Sequence, residues 1–275
     1  MVAVHPVGTV FVFASGLHRG FQIEPRAGDT YLGEPGAVLT GAEVLTGFEL
    51  RDGNWAVDGQ ASELRGHGGC WELEDGTPYE WCAHPEQLFV DGEIWHQVDT
   101  RAELRLGMWF FDYALDRVYV GADPAGRVIE LSTTPPAFHC TAPDVRIAGL
   151  VIEGYEVRAQ SGAVDGSGSN GWVVANNELR FNHGYGLCVG HGMQVLDNYV
   201  HHNGQLGIGG VGGDVLVAGN EVAHNHTANY AEAWEVHGTK FAVSRNLEFR
   251  DNLIPVPRDH RGERRSRRLR TREHL

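Results

Sequence analysis

Apolar residues recur in short alternating runs along the second half of the chain, and the runs share one frame. Residues 172–179, 193–200, 215–222 and 247–254 each read apolar-x-apolar-x-x-Asn-x-apolar, and residues 145–152 repeat the frame with Leu150 in place of the Asn. The frame positions 150, 177, 198, 220 and 252 are separated by 27, 21, 22 and 32 residues. Alternation over so few residues predicts strands with one buried face, and the Gly and Asn clusters between them predict turns. A second Asn follows five residues after three of the frame Asn, at Asn182, Asn203 and Asn225. A repeat of roughly 22 residues with two strand runs and tight corners suits one coil of a parallel β-solenoid, in which successive coils stack at about 4.8 Å and share a core. Asn tolerates the left-handed backbone of a corner, and stacked Asn amides can satisfy peptide groups that a buried bend would orphan. A β-sandwich gives no reason for the frame to return at such even spacing.

The middle of the chain breaks this pattern. Residues 51–137 hold Trp55, Trp71, Trp81, Trp95 and Trp109, five of the seven tryptophans, together with strand-like runs at 87–90 and 117–120. The reading is therefore N-terminal coils over residues 1–50, an inserted Trp-rich β module over 51–137, the repeats over 138–254 and a non-solenoid tail over 255–275. Pro255 and Pro257 lack the N–H that a ladder needs, so the coils are expected to stop there. Eight arginines in the tail, against Asp259, Glu263 and Glu273, give residues 258–275 a net charge of +5 and leave −19 on residues 1–257. Such a tail reads either as the product of a truncation or frameshift, leaving a frayed last coil, or as a basic arm for an acidic partner.

Composition narrows the function. With 275 residues, 42% of them hydrophobic and 21% charged, the chain has material for a sizeable core. Its longest apolar-looking stretch, residues 7–17, is interrupted by Gly8, Thr9, Ser15 and Gly16. It falls short of the roughly 18 residues a membrane span requires, and no membrane association is expected. The acidic body repels phosphate backbones, so no nucleic-acid partner is expected either, and the protein reads as a monomer. No basic n-region precedes an apolar segment at the start, so no secretory signal is visible in this chain. The four cysteines form no CxxC pair; Cys70 and Cys82 either close a short loop as a disulfide or remain small buried thiols.

The Asn-x-apolar repeats from 145 to 254 resemble the right-handed parallel β-helix repeats of the pectin lyase-like superfamily. The run at 8–19, with Ile23-Glu24-Pro25, Gly28-Asp29 and residues 33–39, is similar to the first coils of its bacterial, multi-repeat members. The Leu-Phe-Val-Asp-Gly turn at 88–92 and the Phe-Asp-Tyr element at 111–113 resemble a small β module inserted in several β-helix carbohydrate-active proteins. The resemblance implies an all-β fold, a right-handed parallel β-helix with an inserted β module. It implies an extracellular polysaccharide lyase or glycoside hydrolase, with a polysaccharide or oligosaccharide bound along the solenoid groove. The alternatives are a non-catalytic glycan-binding or surface protein of the same fold, and an inactive fragment of such an enzyme. The module's aromatics either stack on sugar rings or fill the core of a thin sheet.

The coil from Asn220 to Asn252 is about ten residues longer than its neighbours, and insertions in solenoids tend to emerge on the binding face. Its excess holds Asn229, Tyr230, Glu232, Trp234, Glu235, His237 and Lys240, the last being the single lysine of the chain. A lysine near carboxylates can remove the proton α to a uronate carboxylate, the first step of β-elimination. Lys240, Glu235, Glu232 and His237 are thus the candidate catalytic residues, with Trp234, Tyr230, Asn229 and His226 as candidate substrate contacts. The plainer reading makes Glu235 and Lys240 a surface pair that holds the loop. No metal-ligating set is assigned; calcium enters as a cofactor that several lyases of the resembling superfamily use, and the Gly-rich corner at 165–170, flanked by Glu153 and Asp165, reads as a flexible turn in preference to a set of oxygen ligands for it. Among the coil carboxylates Glu153, Glu156, Asp165, Asp197, Asp214 and Glu221, a pair about 5–9 Å apart would suit glycoside hydrolysis. His202 and His224 fall at equivalent repeat positions, so their imidazoles are expected to stack as turn residues, the alternatives being to bind a transition metal or to titrate together.

Overall fold

Each frame supplies two strands joined by a tight corner, and a third strand follows before the next frame begins. The computed structural model describes residues 4–60, 70, 80–231, 237–255 and 266–272. One coil comprises Arg146–Ala148, Val151–Glu153 and Gly162–Asp165; the next comprises Val173–Ala175, Glu178–Arg180 and Tyr185–Val189. Gln194–Leu196, Tyr199–His201 and Leu206–Gly210 follow, then Leu216–Ala218, Glu221–Ala223 and His237–Phe241. Equivalent strands pair in parallel, residue above residue, so the three strand positions build three ladders along the solenoid. The apolar frame positions point inward. Tyr31, Ile147, Val174, Val195 and Val217 stack in the first ladder. Leu39, Ile152, Leu179, Val200 and Val222 stack in the second, and Phe138, Val164, Leu187 and Ile208 in the third. All belong to one buried core, and each such side chain contributes about 1.5–3 kcal/mol on leaving water.

The frame Asn residues occupy the corner between the first and second strands. Asn177 Oδ1 accepts the Leu150 N–H at 3.0 Å, Asn198 Oδ1 that of Asn177 at 3.0 Å, Asn220 Oδ1 that of Asn198 at 2.9 Å and Asn252 Oδ1 that of Asn220 at 2.9 Å. Their Nδ2 groups donate to the carbonyls of Ile147, Val174, Val195 and Val217. A second ladder, Asn182, Asn203 and Asn225, does the same at the next corner. The left-handed conformation falls one residue earlier than the amides, on Gly149, Asn176, Asp197, Gly219 and Asp251, with φ from 53° to 74°. The frame Asn serves the ladder, and its predecessor makes the bend.

Val10–Phe13 with Gly16–Arg19, and Thr30–Gly33 with Ala37–Thr40, begin the solenoid. After Thr40 the chain leaves its coil, and it returns at Phe138–His139 to supply that coil's third strand, against Ile23 on one side and Val164 on the other. The excursion forms an eight-stranded sheet ordered Ala42–Val44, Ile129–Ser132, Leu88–Val90, Glu93–Gln97, Met108–Asp112, Arg117–Val120, Asn54–Asp58 and Glu49–Arg51. It starts at Ala42, earlier than residue 51, because Gly41 is the exit. There the N–H donates to the Glu153 carbonyl at 3.0 Å, the carbonyl accepts from Thr133 and Thr134, and a Cβ would lie 2.7 Å from Tyr155 Cα. Trp109, at 1% exposure, and Trp95 lie in the sheet's own core with Leu88, Phe111, Val118 and Leu131. Trp71 lies outside the described residues.

Glu248–Pro255 runs through both frame positions of the last coil, pairing with Leu216–Ala218 and Glu221–Ala223. In place of a frayed end, Ser266–Arg272 folds back and pairs antiparallel with it. Among the described residues, no helix is long and apolar enough to cross a membrane.

Candidate functional site

Of the loop singled out in the sequence, residues 226–231 and 237–240 are described. Glu232, Trp234 and Glu235 lie outside the described residues. His226 and Tyr230 come together, with Nε2 of His226 donating to the Tyr230 carbonyl at 2.5 Å. Asn229 is exposed with a left-handed φ of 50°. Tyr230 is 1% exposed, and burial pushes its phenol well above its usual value. The ring lies 5.6 Å from that of His183 and packs with Cys82, Ala159 and Ala228. Its face is therefore committed to the protein interior and not to a sugar. Tyr230 also bridges Cys70, which is disulfide-bonded to Cys82. Lys240 is exposed on His237–Phe241, in register with Gly209, Cys188, Asp165 and His139 of earlier coils. His237 on the same strand takes the register position of Leu206 and Tyr185. Asp165 accepts the Ser167 N–H and lies 3.7 Å from His139, which makes the Gly-rich corner a capped turn.

A more concentrated set of groups lies between the second ladder and the inserted sheet. A cleft of about 480 Å³ opens there, with Arg19, Glu153, Arg180 and Phe181 on the solenoid side and Phe89 and Glu130 on the other. The pairing register puts Arg19, Thr40, Glu153, Arg180 and His201 in one line across the ladder. Strand alternation turns this line outward, while Leu39, Ile152, Leu179 and Val200 beside it face the core. The Arg180 guanidinium donates to Glu153 at 2.7 Å and to Glu178 at 2.6 Å. Burial opposes its charge, yet the two carboxylates hold the proton more tightly than usual. Across the cleft Arg19 pairs with Glu130.

Phe181 occupies the second corner, where other coils carry Gly154, His202 and His224, and its φ of 55° is left-handed. A bulky residue there is strained by about 1 kcal/mol or more. Its ring is packed on several sides, with the Arg180 guanidinium carbon 5.4 Å from the centroid, Phe89 at 6.4 Å and His202 at 5.7 Å. Along the same corner row His202 stacks on His224 at 5.2 Å, and Nδ1 of His201 lies 2.7 Å from Nδ1 of His202. Burial holds both His201 and His202 below the usual imidazole value; Glu178 pulls His201 the other way through a 3.1 Å bond to Nε2. Among the described residues, no three His, Cys, Asp or Glu side chains converge as a metal site.

Sequence reasoning named Glu153 and the histidines but missed Arg180, Phe181, Arg19 and Glu130. One signal was readable: Phe181 interrupts a corner position otherwise filled by Gly or His. Glu130 and Phe89 carried none, because their approach depends on how the inserted sheet folds back.

Residues 162–255, about a third of the chain, match the family described as the right handed beta helix region. No curated protein matches the chain. Among solved structures, the complex of XylC with xylose is similar with a TM-score of 0.76 and 13% identity, over 91% of this chain and 54% of that one. A second, described as a glycoside hydrolase, is similar with a TM-score of 0.57 and 8% identity, over 86% of this chain and 69% of that one. The chain spans about half the length of the first. The ladders, the repeat frame and these likenesses agree, and the chain is a right-handed parallel β-helix protein.

Proposed function

We propose that this is a carbohydrate-active β-helix protein that holds a saccharide in the cleft between its second ladder and the inserted sheet. The observation that carries the reading is the strained, half-buried Phe181 ring set beside the Arg180, Glu153 and Glu178 group in a cleft of about 480 Å³. A flat apolar ring suits the C–H face of a sugar, and paired charges at its edge suit the hydroxyls. That the similar structures are of XylC bound to xylose and of a glycoside hydrolase supports the substrate class. Carboxylates on both walls, Glu153 and Glu130, fit hydrolysis, in which two carboxyl groups flank the scissile bond. Elimination by Lys240 is the competing chemistry, and that residue stands on the third ladder, away from this cleft.

Calorimetric titration with xylose, xylo-oligosaccharides and uronic-acid oligosaccharides tests the site. Phe181→Asn removes the ring and places at the corner a residue that tolerates left-handed φ, so stability should move by less than about 1 kcal/mol. Losing the buried aromatic contact, about 1.5 kcal/mol, should weaken binding tenfold or more. Unchanged affinity in that variant would remove the cleft from the proposal. An assay following reducing ends and unsaturated uronate absorbance together then separates the reactions. Reducing ends alone, abolished by Glu153→Gln, indicate hydrolysis at the cleft; absorbance abolished by Lys240→Ala indicates elimination at the third ladder.

A further inference from the structure

A second cavity, of about 60 Å³, lies where the inserted sheet meets the solenoid corner at His183, and it stands apart from the cleft. A water needs roughly 10–15 Å³ of such space, so the cavity has room for an ion with its water. Gln87, Gln97 and Glu86 line it, at 7%, 6% and 3% exposure, together with Trp95 and Trp109. A hydrogen-bond chain fixes the orientation of the Gln97 amide. Its Nε2 donates to Tyr113 Oη at 3.3 Å, and that hydroxyl donates to Glu86 Oε2 at 3.0 Å. The Gln97 carbonyl oxygen must then be the outer end of the amide, and among the described residues neither it nor the Gln87 Oε1 has a donor. Buried carbonyls without a donor lose their hydration uncompensated, so something positive or donating is expected to meet them.

We propose that this cavity binds a hard divalent cation of the Ca²⁺ class, held by the Gln87 and Gln97 carbonyl oxygens and the Glu86 carboxylate, with water completing the shell. The three proposed ligands are oxygens, two neutral and one anionic, which is the chemistry Ca²⁺ takes; the imidazoles of His96 and His183 also line the cavity, and the Nε2 of His183 is committed to the Cys82 carbonyl. Its place between sheet and solenoid makes the ion a clamp for the inserted sheet. The net charge of −19 on residues 1–257 favours cation entry.

Terbium is the probe, because Trp95 and Trp109 at the cavity wall can sensitise its emission when the indoles are excited. Saturable emission that Ca²⁺ displaces, with a Ca²⁺-dependent rise in Tm, is expected for the full chain. Gln97→Leu should weaken terbium binding at least tenfold. Gln97→Glu, which adds a charge at the same place, should tighten it, and this gain keeps the test informative if the Leu variant fails to fold. Emission that is absent, that Ca²⁺ does not displace, or that neither variant alters would overturn the proposal. In the first case the carbonyls are met by water alone, and in the others the ion sits on the acidic surface.

Discussion

His183 is a buried imidazole at 2% exposure, and its Nε2–H donates to the Cys82 carbonyl at 2.9 Å. Burial, opposed by that hydrogen bond and aided by His84, lowers its pKa to about 4. In the unfolded chain the same group titrates near 6.5. Between these values the unfolded state binds the extra proton, so the contribution is complete above about pH 6.5 and is lost as pH falls toward 4. The shift corresponds to about 3 kcal/mol. Denaturant melts across this range should show stability falling with acidification, and His183→Gln, which keeps a donor for Cys82, should flatten the limb. His201 and His202, also lowered, leave a residual slope of the same sign. An unchanged limb in the variant would mean that water reaches this corner and His183 is not held neutral.

The Asn ladder belongs to the next scale, since no single amide explains it. Asn198 accepts from both the N–H and the Nδ2 of Asn177, and its own groups donate to Asn220 and Val174. Asn198→Ala breaks the ladder in its middle and orphans the buried Asn177 N–H, so it should cost about 2–4 kcal/mol. Asp197→Gly, one residue earlier, leaves the ladder intact and relieves the left-handed bend, and should be neutral or mildly stabilising. Equal losses for the two would show that the bend and not the amide limits the corner. This division also marks what the sequence could convey. The periodicity of 21 and 22 residues exposed the ladder and its strands, because register residues must stack. It did not expose the exit at Gly41, since Ala42–Val44 alternates like a coil strand. Nor did it expose the cleft, whose Glu130 and Phe89 reach Arg19 and Phe181 from remote parts of the chain. Tyr230 reads as a sugar contact for the same reason: nothing local tells that the disulfide-bonded Cys70 and Cys82 pack against it.

At the scale of the whole molecule, a solenoid has two exposed ends, and each presents unpaired ladder groups that can template association. Here Ser266–Arg272 covers the last strand as an antiparallel partner, with Arg272 in register with Glu248 and Arg268 with Leu253. The covering strand comes from a segment of net charge +5, and the coils it meets belong to a body of net charge −19. Opposite charge therefore favours docking, over and above the ladder hydrogen bonds, and this part of the attraction is screened within about 10 Å at 0.1 M salt. Two consequences follow for the isolated protein. Deleting residues 256–275 should uncover Glu248–Pro255 and shift sedimentation toward larger species that grow with concentration. In the full chain, raising salt should loosen the strand and speed hydrogen exchange along 248–255 while exchange in the central coils stays slow. If the deletion variant sediments as a monomer and its exchange matches the full chain, the antiparallel strand does not protect this end, and the ladder edge is kept soluble by its own exposed Glu248, Arg250 and Asp251.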